Sequence, residues 1–169
     1  MIPLSGAAAS AIVHLSFSPC RTAMLSLIQR VTQAAVSVGD ERVGAIGPGL
    51  LALVAVEPDD DETRIRRMAQ RLLGYRIFAD DTGRMNRSLG DTGGDLLLVS
   101  QFTLAADTRS GMRPSFTTAA APEEAERGYN RLVGICRQLH AGRVETGRFG
   151  AHMIVSLVND GPVSFLLKA

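Results

Sequence analysis

Residues 50–56 read LLALVAV, a continuous apolar run that is typical of a β-strand with both faces buried. A second buried strand is predicted over residues 96–102, which read LLLVSQF. Strands buried on both sides need covering layers, and helices commonly supply them. These two runs therefore predict a layered α/β domain.

Further strands surround the two runs. Gly39-Asp40 is a turn signal between two strand-like segments and predicts a hairpin. Asn159-Asp160-Gly161-Pro162 is interpreted as a second turn, between the last two strands. The strands predicted besides the two buried runs cover residues 25–38, 42–46, 76–78, 153–158 and 163–167.

Two amphipathic helices are predicted to cover the sheets. The first begins after three aspartates at residues 59–61, which are good N-cap residues. The second begins at Pro122, and two glutamates follow at the positive end of the helix dipole. The buried stripes predicted from helical spacing are Ile65, Met68, Ala69, Leu72 and Leu73 in the first helix, and Ala125, Tyr129, Leu132, Val133, Cys136 and Leu139 in the second.

The composition fits one soluble globular domain of 169 residues, with 46% hydrophobic and 21% charged residues. The net charge of +1 gives no general signature of nucleic-acid binding, so any RNA contact must come from a local patch. No apolar run approaches the ~20 residues of a membrane-spanning helix. Two cysteines, Cys20 and Cys136, cannot make a metal cluster or a disulfide scaffold, so a reducing cytoplasm and no metal are expected.

The strand pattern begins just after Met24, and residues 1–23 are predicted to form an N-terminal extension outside the fold. Residues 7–15 are weakly apolar, but they lack a preceding basic region and His14 interrupts them, so they make a poor signal peptide. Met24 is the expected biological start. The functional domain is therefore predicted to span residues 24–169.

Arg30 breaks the local pattern of the first strand. Strand alternation places it on the same face as Ile28, Ala34 and Val36. A buried guanidinium must be paired or hydrogen-bonded. Arg30 is therefore expected either to hold carbonyls or a carboxylate for structural reasons, or to brace a functional site.

Ser100-Gln101-Phe102-Thr103 follows the second apolar run, and polar groups at the end of a buried strand often form active sites in α/β sheets. Its two hydroxyl groups are candidate nucleophiles, but such a hydroxyl needs a neighbouring base. The histidines are His14, His140 and His152, and none has a recognisable partner motif. His140 is expected to cap a helix. A Ser/His/Asp triad is therefore not favoured.

Taken together, these segments resemble the D-aminoacyl-tRNA deacylase family. The resemblance extends from Met24 to Lys168 and implies a homodimer. The stretches that carry it most specifically are Ser100-Gln101-Phe102-Thr103-Leu104 and Asn159-Asp160-Gly161-Pro162-Val163. Supporting stretches are Gln29-Arg30-Val31, Arg76-Ile77-Phe78, Met112-Arg113-Pro114-Ser115-Phe116 and Thr146-Gly147-Arg148-Phe149.

The resemblance implies hydrolysis of the ester between the 3′ end of a tRNA and a D-amino acid, without a cofactor. The family's Gly-cisPro loop, here Gly161-Pro162, would enter the active site of the other subunit. Ser100, Gln101, Phe102 and Thr103 would line the site. The implied supporting residues are Arg30, which would hold the loop, together with Phe149 and Met153.

The expected chemistry follows from the substrate. Main-chain groups of Gly161 and Pro162 are predicted to exclude an L side chain. An achiral glycyl ester has no side chain to exclude and is expected to be hydrolysed. Backbone N–H groups near Phe102 and Thr103 are candidate oxyanion donors, and the ribose 2′-OH of the tRNA is expected to assist the attack. Two alternatives stay open. In one, Thr103 or Ser100 is the nucleophile of an esterase, and in the other the chain is a non-catalytic RNA-binding module. Arg109, Arg113 and Arg148 are candidate phosphate contacts for an enzyme and for a module alike.

Two positions depart from the family pattern. His152 stands where the family often has Asp, and Ser164 replaces a frequent Thr. Ser164 is interpreted as a conservative change within a strand. His152 is expected to be a surface change, although it would alter the pH profile if it reached the substrate pocket.

Overall fold

The structure is a computed structural model that describes residues 23–109, 111–116 and 119–169. Of the extension predicted over residues 1–23, only Ala23 is described. The rest, including His14 and Cys20, lies outside the described residues. The strands are β1 (Leu25–Val38), β2 (Glu41–Ile46), β3 (Gly49–Ala55), β4 (Phe78–Ala79), β5 (Met85–Arg87), β6 (Asp95–Ser100), β7 (Val144–Thr146) and β8 (Ile154–Lys168). The helices are α1 (Glu62–Gly74), α2 (Leu89–Thr92) and α3 (Pro122–Leu139), and Phe102–Ala105 forms a 3₁₀ turn.

β1 organises a mixed sheet of six strands. β8 pairs with one edge of β1 along nearly its whole length, whereas β3 and β2 share the other edge. β6 and β7 follow beyond β3 in parallel. The sheet curls so strongly that its two end strands, β2 and β7, approach each other. A Cβ added to Gly44 of β2 would lie 2.7 Å from the carbonyl oxygen of Thr146 in β7. The predicted α/β class and mixed strand pairing are confirmed.

The two apolar runs are buried on both faces, as predicted. In β3, Leu50, Ala52 and Val54 belong to the core between the sheet and the helices. Leu51 belongs to a second core, which lies inside the curl of the sheet. Residues of β6 alternate between the same two cores. Strands β3 and β6 therefore form the rigid centre on which the adjoining loops are mounted.

The predicted helices are confirmed, with one correction. The N-cap of α1 is Asp61, whose carboxylate accepts a hydrogen bond from the Arg64 N–H, and α3 begins at Pro122. Leu139 was predicted to be buried, but its side chain is 54% exposed. At this end of α3 the buried position belongs to the helix-capping residue His140, whose Nε2 lies 2.7 Å from the Gly94 carbonyl oxygen.

Two predicted strand boundaries are wrong. The strand predicted over residues 96–102 ends at Ser100, because Gln101 caps a 3₁₀ helix that begins at Phe102. The strand predicted over residues 76–78 is instead Phe78–Ala79. Ile77 is left out of the ladder, and its carbonyl oxygen accepts a hydrogen bond from Arg30.

The turn predicted at Asn159-Asp160-Gly161-Pro162 does not reverse the chain. Both halves of β8 pair with β1: Ser164 lies opposite Gln29, and Asn159 lies opposite Val31. Residues 160–163 therefore bulge out of a single long strand. Gly, Pro, Asn and Asp favour such bulges as well as turns, which is why the residue types alone did not separate the two.

The residues predicted to share a face with Arg30 are partly wrong, because the register of β1 against β8 shifts along the strand. Ile28 faces the helices, as the alternation predicts, but Ala34 and Val36 face the core inside the curl. The pairing of β1 with β8 shifts register again between Val31 and Gln33. One such shift moves all later side chains to the opposite face.

Candidate functional site

The segment after β6 is held by its own hydrogen bonds. The Gln101 N–H donates to the Val54 carbonyl oxygen of β3 at 2.7 Å. The Gln101 side-chain amide donates to the Thr103 hydroxyl oxygen at 2.5 Å. An amide N–H is a donor and cannot take a proton from the hydroxyl. The contact therefore fixes the position of Thr103 without activating it as a nucleophile.

The 3₁₀ turn presents main-chain donors. Its internal hydrogen bonds run from the Leu104 N–H to the Gln101 carbonyl oxygen and from the Ala106 N–H to the Thr103 carbonyl oxygen, both at 3.2 Å. The first N–H groups of any helical turn lack a partner within it. Here those groups belong to Phe102 and Thr103, so both remain available to an external oxygen atom.

An apolar pocket of about 280 Å³ lies beside this turn. Its wall from α3 includes Tyr129, whose hydroxyl donates to the Leu98 carbonyl oxygen at 2.8 Å. Burial raises the pKa of the Tyr129 hydroxyl, so it stays neutral and structural. The residues that line the pocket include Val54, Ser100, Phe102, Tyr129, Phe149 and Gly150.

Aromatic rings mark the mouth and wall of the pocket. The Phe102 ring is 60% exposed, and its centroid lies 5.3 Å from that of Phe116. The Phe149 ring lies 5.9 Å from the Tyr129 ring. Exposed aromatic faces of this kind can stack on a nucleobase. Tyr129 was predicted only as part of the buried helix stripe, and nothing in that spacing showed that it would also form a pocket wall.

The remaining predicted residues after β7 lie apart from the pocket. Met153 packs on the core inside the curl, and its sulfur lies only 2.6 Å from where a Cβ on Gly147 would be. Its side chain therefore supports the segment that leads to Phe149. His152 is exposed.

The bulge in β8 carries Gly161 and Pro162, which are exposed and joined by a cis peptide bond. Gly161 has φ +131°, a conformation that favours glycine. Asn159 closes the base of the bulge, because its side-chain oxygen accepts a hydrogen bond from the Val163 N–H at 2.8 Å and its amide donates to the Ser164 hydroxyl at 3.1 Å. The bulge therefore has one defined conformation.

Arg30 fixes the bulge from the side, and its side chain is only 15% exposed. The Nε donates to the Asp160 carbonyl oxygen at 3.1 Å and lies 2.9 Å from the Asp160 carboxylate. One terminal nitrogen donates to the Ile77 carbonyl oxygen at 2.6 Å. Arg30 thus finds the carbonyls and the carboxylate that its burial requires, and two of these three groups belong to the bulge.

Within one chain the bulge and the pocket are far apart. Ser100 is in register with Val54, and Val54 with Ser26, whereas Arg30 lies four residues further along β1. At about 3.3 Å per residue, the bulge lies roughly 13 Å along the sheet from Ser100 and about three strand spacings across it. The structure therefore does not bring Gly161 and Pro162 together with Ser100–Thr103 of the same chain.

Two of the arginines predicted as phosphate contacts form ion pairs within the chain. Arg109 forms a short ion pair with Asp107 at 2.7 Å, and this contact lowers the pKa of the Asp107 carboxyl. Arg148 reaches Glu41 at 2.9 Å. Over the residues that the structure describes, no group of three His, Cys, Asp or Glu side chains is placed to hold a metal ion. No helix in this part of the chain is long and apolar enough to cross a membrane.

Comparison with known proteins gives a consistent result. The model of a family described as D-Tyr-tRNA(Tyr) deacylase matches residues 27–168. The D-aminoacyl-tRNA deacylase of Stenotrophomonas maltophilia strain K279a is 79% identical over 145 residues, which cover 86% of this chain and 99% of the relative. The protein of the same name from Xanthomonas campestris pv. campestris strain 8004 is 70% identical with the same coverage.

Two solved structures share the fold. A c-Myc DNA unwinding element binding protein superposes with a TM-score of 0.82 at 35% identity, over 86% of this chain and 98% of that one. A probable eukaryotic D-amino acid tRNA deacylase superposes with a TM-score of 0.75 over 88% of this chain and 100% of that one. At 19% identity, the second likeness concerns the fold alone.

Proposed function

The chain belongs to the D-Tyr-tRNA(Tyr) deacylase family, and from this premise we propose that it hydrolyses D-aminoacyl-tRNA and glycyl-tRNA at a site shared by two copies of the chain. The observation that carries the proposal is the 3₁₀ turn, which presents the N–H groups of Phe102 and Thr103 beside an apolar pocket. This arrangement fits an ester whose carbonyl oxygen becomes negative during attack.

The two-chain site is supported by the position of β8. This strand pairs only with β1 among the described strands, so its other edge is open. It exposes large apolar side chains, including Ile154, Val158 and Leu166. An open apolar edge strand readily associates with a second copy. Such a homodimer would bring the bulge of one protomer to the pocket of its partner, which the bulge cannot reach within its own chain.

In this proposal, Gly161 and Pro162 read the configuration of the substrate. The enzyme must accept many D side chains and reject every L-aminoacyl-tRNA, so it must sense the bonds at Cα rather than the side chain. The bulge is held by Asn159 and Arg30, and its backbone can approach closely because Gly161 has no side chain. An L side chain would clash with this backbone, whereas a D side chain would point towards solvent.

The reaction proceeds by attack of water on the ester carbonyl carbon. The new C–O bond forms as the N–H groups of Phe102 and Thr103 stabilise the oxyanion, and one such donor contributes about 2.7–4 kcal/mol to transition-state binding. The bond to the ribose 3′-oxygen then breaks, and that oxygen takes up a proton. The ribose 2′-OH assists the attack, while the terminal adenosine stacks near Phe149 or Phe102.

The test is a deacylation assay with matched D-tyrosyl-, L-tyrosyl- and glycyl-tRNA. We expect release of D-tyrosine and glycine, and release of L-tyrosine at least about 100-fold slower, because the steric clash cannot relax cheaply in a rigid site. Binding of D-tyrosyl-tRNA without release would instead indicate an RNA-binding module. Rapid cleavage of simple esters without tRNA would indicate an unrelated esterase.

Thr103→Val separates main-chain catalysis from a threonine nucleophile. We expect kcat for D-tyrosyl-tRNA to fall less than about 10-fold, because the backbone N–H survives and only the hydroxyl bonded to Gln101 is lost. Single-turnover kinetics give the rate. A loss of about 10⁴-fold or more, or an acyl group trapped on wild-type Thr103, would instead establish covalent catalysis.

A further inference from the structure

Two carboxylates lie together where the chain enters β1. Glu57 follows β3, and Asp60 lies three residues later in the turn before α1. The Glu57 N–H donates to one oxygen of the Asp60 carboxylate at 2.7 Å, which holds the turn closed. The Asp60 side chain is fully buried, at 0% exposure. The fold therefore keeps two acidic groups in a confined place.

Two oxygen atoms of this carboxylate pair lack a hydrogen-bond donor. Of the described side chains, Glu57 Oε2 and Asp60 Oδ1 are buried without a hydrogen-bond partner. An Arg64 nitrogen lies 3.6 Å from Asp60 Oδ1, but it donates to the Asp59 carbonyl oxygen at 2.7 Å. Burial raises the pKa of both carboxyl groups. Buried carboxylate oxygens without donors are costly, so the pair has a place for a further donor that Arg64, at 3.6 Å, does not fill.

The neighbouring backbone indicates which cation fits. The N–H of Ala23 interacts with Glu57 and the N–H of Met24 with Asp60, and each contact lowers the pKa of its carboxyl group. The Met24 side chain is fully buried in the core, and its carbonyl oxygen accepts a hydrogen bond from the Ala169 N–H at 3.0 Å, so the backbone of this residue is held in place. A peptide nitrogen offers one hydrogen, whereas an ammonium at the same position offers three, in charge-assisted bonds.

We propose that Glu57 and Asp60 form a binding site for an ammonium group, and that its ligand is the free α-amino group of a polypeptide whose first residue is Met24. The ammonium donates to Glu57 Oε2 and Asp60 Oδ1, and the charges of Arg64 and Lys168 lie nearby. The relatives agree with this chain length, because 145 matched residues account for 99% of the Stenotrophomonas protein. A metal ion fits poorly, because backbone N–H groups, which repel a cation, already contact both carboxyl groups.

The experiment compares the polypeptide of residues 24–169 with the full chain in thermal unfolding between pH 6 and pH 10. The shorter polypeptide has nearly the length of the Stenotrophomonas protein, since the 145 matched residues cover 99% of that relative. We expect its Tm to be about 2–4 °C higher at pH 7, the shift that a charge-assisted contact gives at this size. An NMR titration of the ¹⁵N-labelled α-amino group should show a pKa about one unit above its ordinary range of about 7.7–8.0.

The pH dependence has a defined sign. Because the pKa of the α-amino group is raised in the folded state, the extra stability is complete below the ordinary pKa and disappears as the pH rises through the raised one. Asp60→Asn in both polypeptides should abolish the Tm difference, whereas Asp81→Asn, at an exposed acid elsewhere, should preserve it. Equal Tm values across the pH range, or an ordinary α-amino pKa, would overturn the proposal. So would stabilisation of the full chain by Ca²⁺, which would identify a metal site.

Discussion

A D-tyrosyl-tRNA that ends in 2′-deoxyadenosine is expected to be hydrolysed at least about 100-fold more slowly than the normal substrate, the usual contribution of a positioned acid–base group. The reason lies in the surroundings of the 3₁₀ turn. The Thr103 hydroxyl is held by an amide, and the Tyr129 hydroxyl is buried against a carbonyl oxygen. Neither group can act as a general base, and the proposed mechanism therefore assigns the proton transfer to the 2′-OH of the substrate.

The measurement is the single-turnover rate of D-tyrosine release with saturating enzyme. The control is whether the deoxy substrate inhibits hydrolysis of the normal D-tyrosyl-tRNA. Such inhibition means that the deoxy substrate binds, and its slow hydrolysis then reports the chemical step rather than the affinity. Non-enzymatic hydrolysis of both esters must be subtracted. Equal enzymatic rates on the two substrates would refute RNA-assisted catalysis while leaving the deacylase activity itself intact.

Gly161→Ala is expected to reduce D-tyrosyl-tRNA hydrolysis by about 100-fold, because a 1 Å misplacement in a rigid site can cost that much. The added methyl would lie 2.6 Å from a Val163 methyl carbon and 3.1 Å from an Arg30 nitrogen, at φ +131°. The bulge must therefore move, and its selectivity should weaken as well. The ratio of D- to L-tyrosine release measures this effect, and Gly83→Ala provides a control at an exposed turn with a positive φ and open space.

A mixing experiment tests whether the bulge acts across two chains. Ser100→Phe should fill the pocket, and dimers of this variant should be inactive, like those of Gly161→Ala. After mixing equal amounts and re-equilibrating, about a quarter of wild-type activity should return, because half of the dimers are mixed and each has one intact site of two. If the mixture stays inactive although mixed dimers are shown to form, bulge and pocket do not act across the interface.

The sequence predicts the centre of the fold because its signals are local. Residues 50–52 and 96–99 are buried at every position, and such continuous apolar runs leave few alternatives to a doubly covered strand. The helix stripes are equally clear, since 3.6-residue spacing is visible without tertiary information. The exposed Leu139 marks the limit of this reasoning, because spacing along a helix does not show where the partner layer ends.

The candidate site is only partly visible in the same way. Ser100–Thr103 stands out because polar groups follow an apolar strand, and the family resemblance gives those residues their expected roles. The bulge at Gly161 was predicted as a turn, because register shifts depend on the partner strand rather than on residue type. The pocket wall from Tyr129 and Val54 could not be predicted either, since it depends on how far α3 lies from β3.

The Arg30 side chain joins the exposed bulge to the main chain at Ile77, three residues after α1 ends. Separating the bulge from Arg30 would remove two of the three acceptors of a mostly buried guanidinium, which makes local unfolding of the bulge unfavourable. This exposed part of β8 thus owes some of its order to a contact with the protein interior, and not only to its own residues. Substitutions beneath the helix layer can consequently disturb a surface that they never touch.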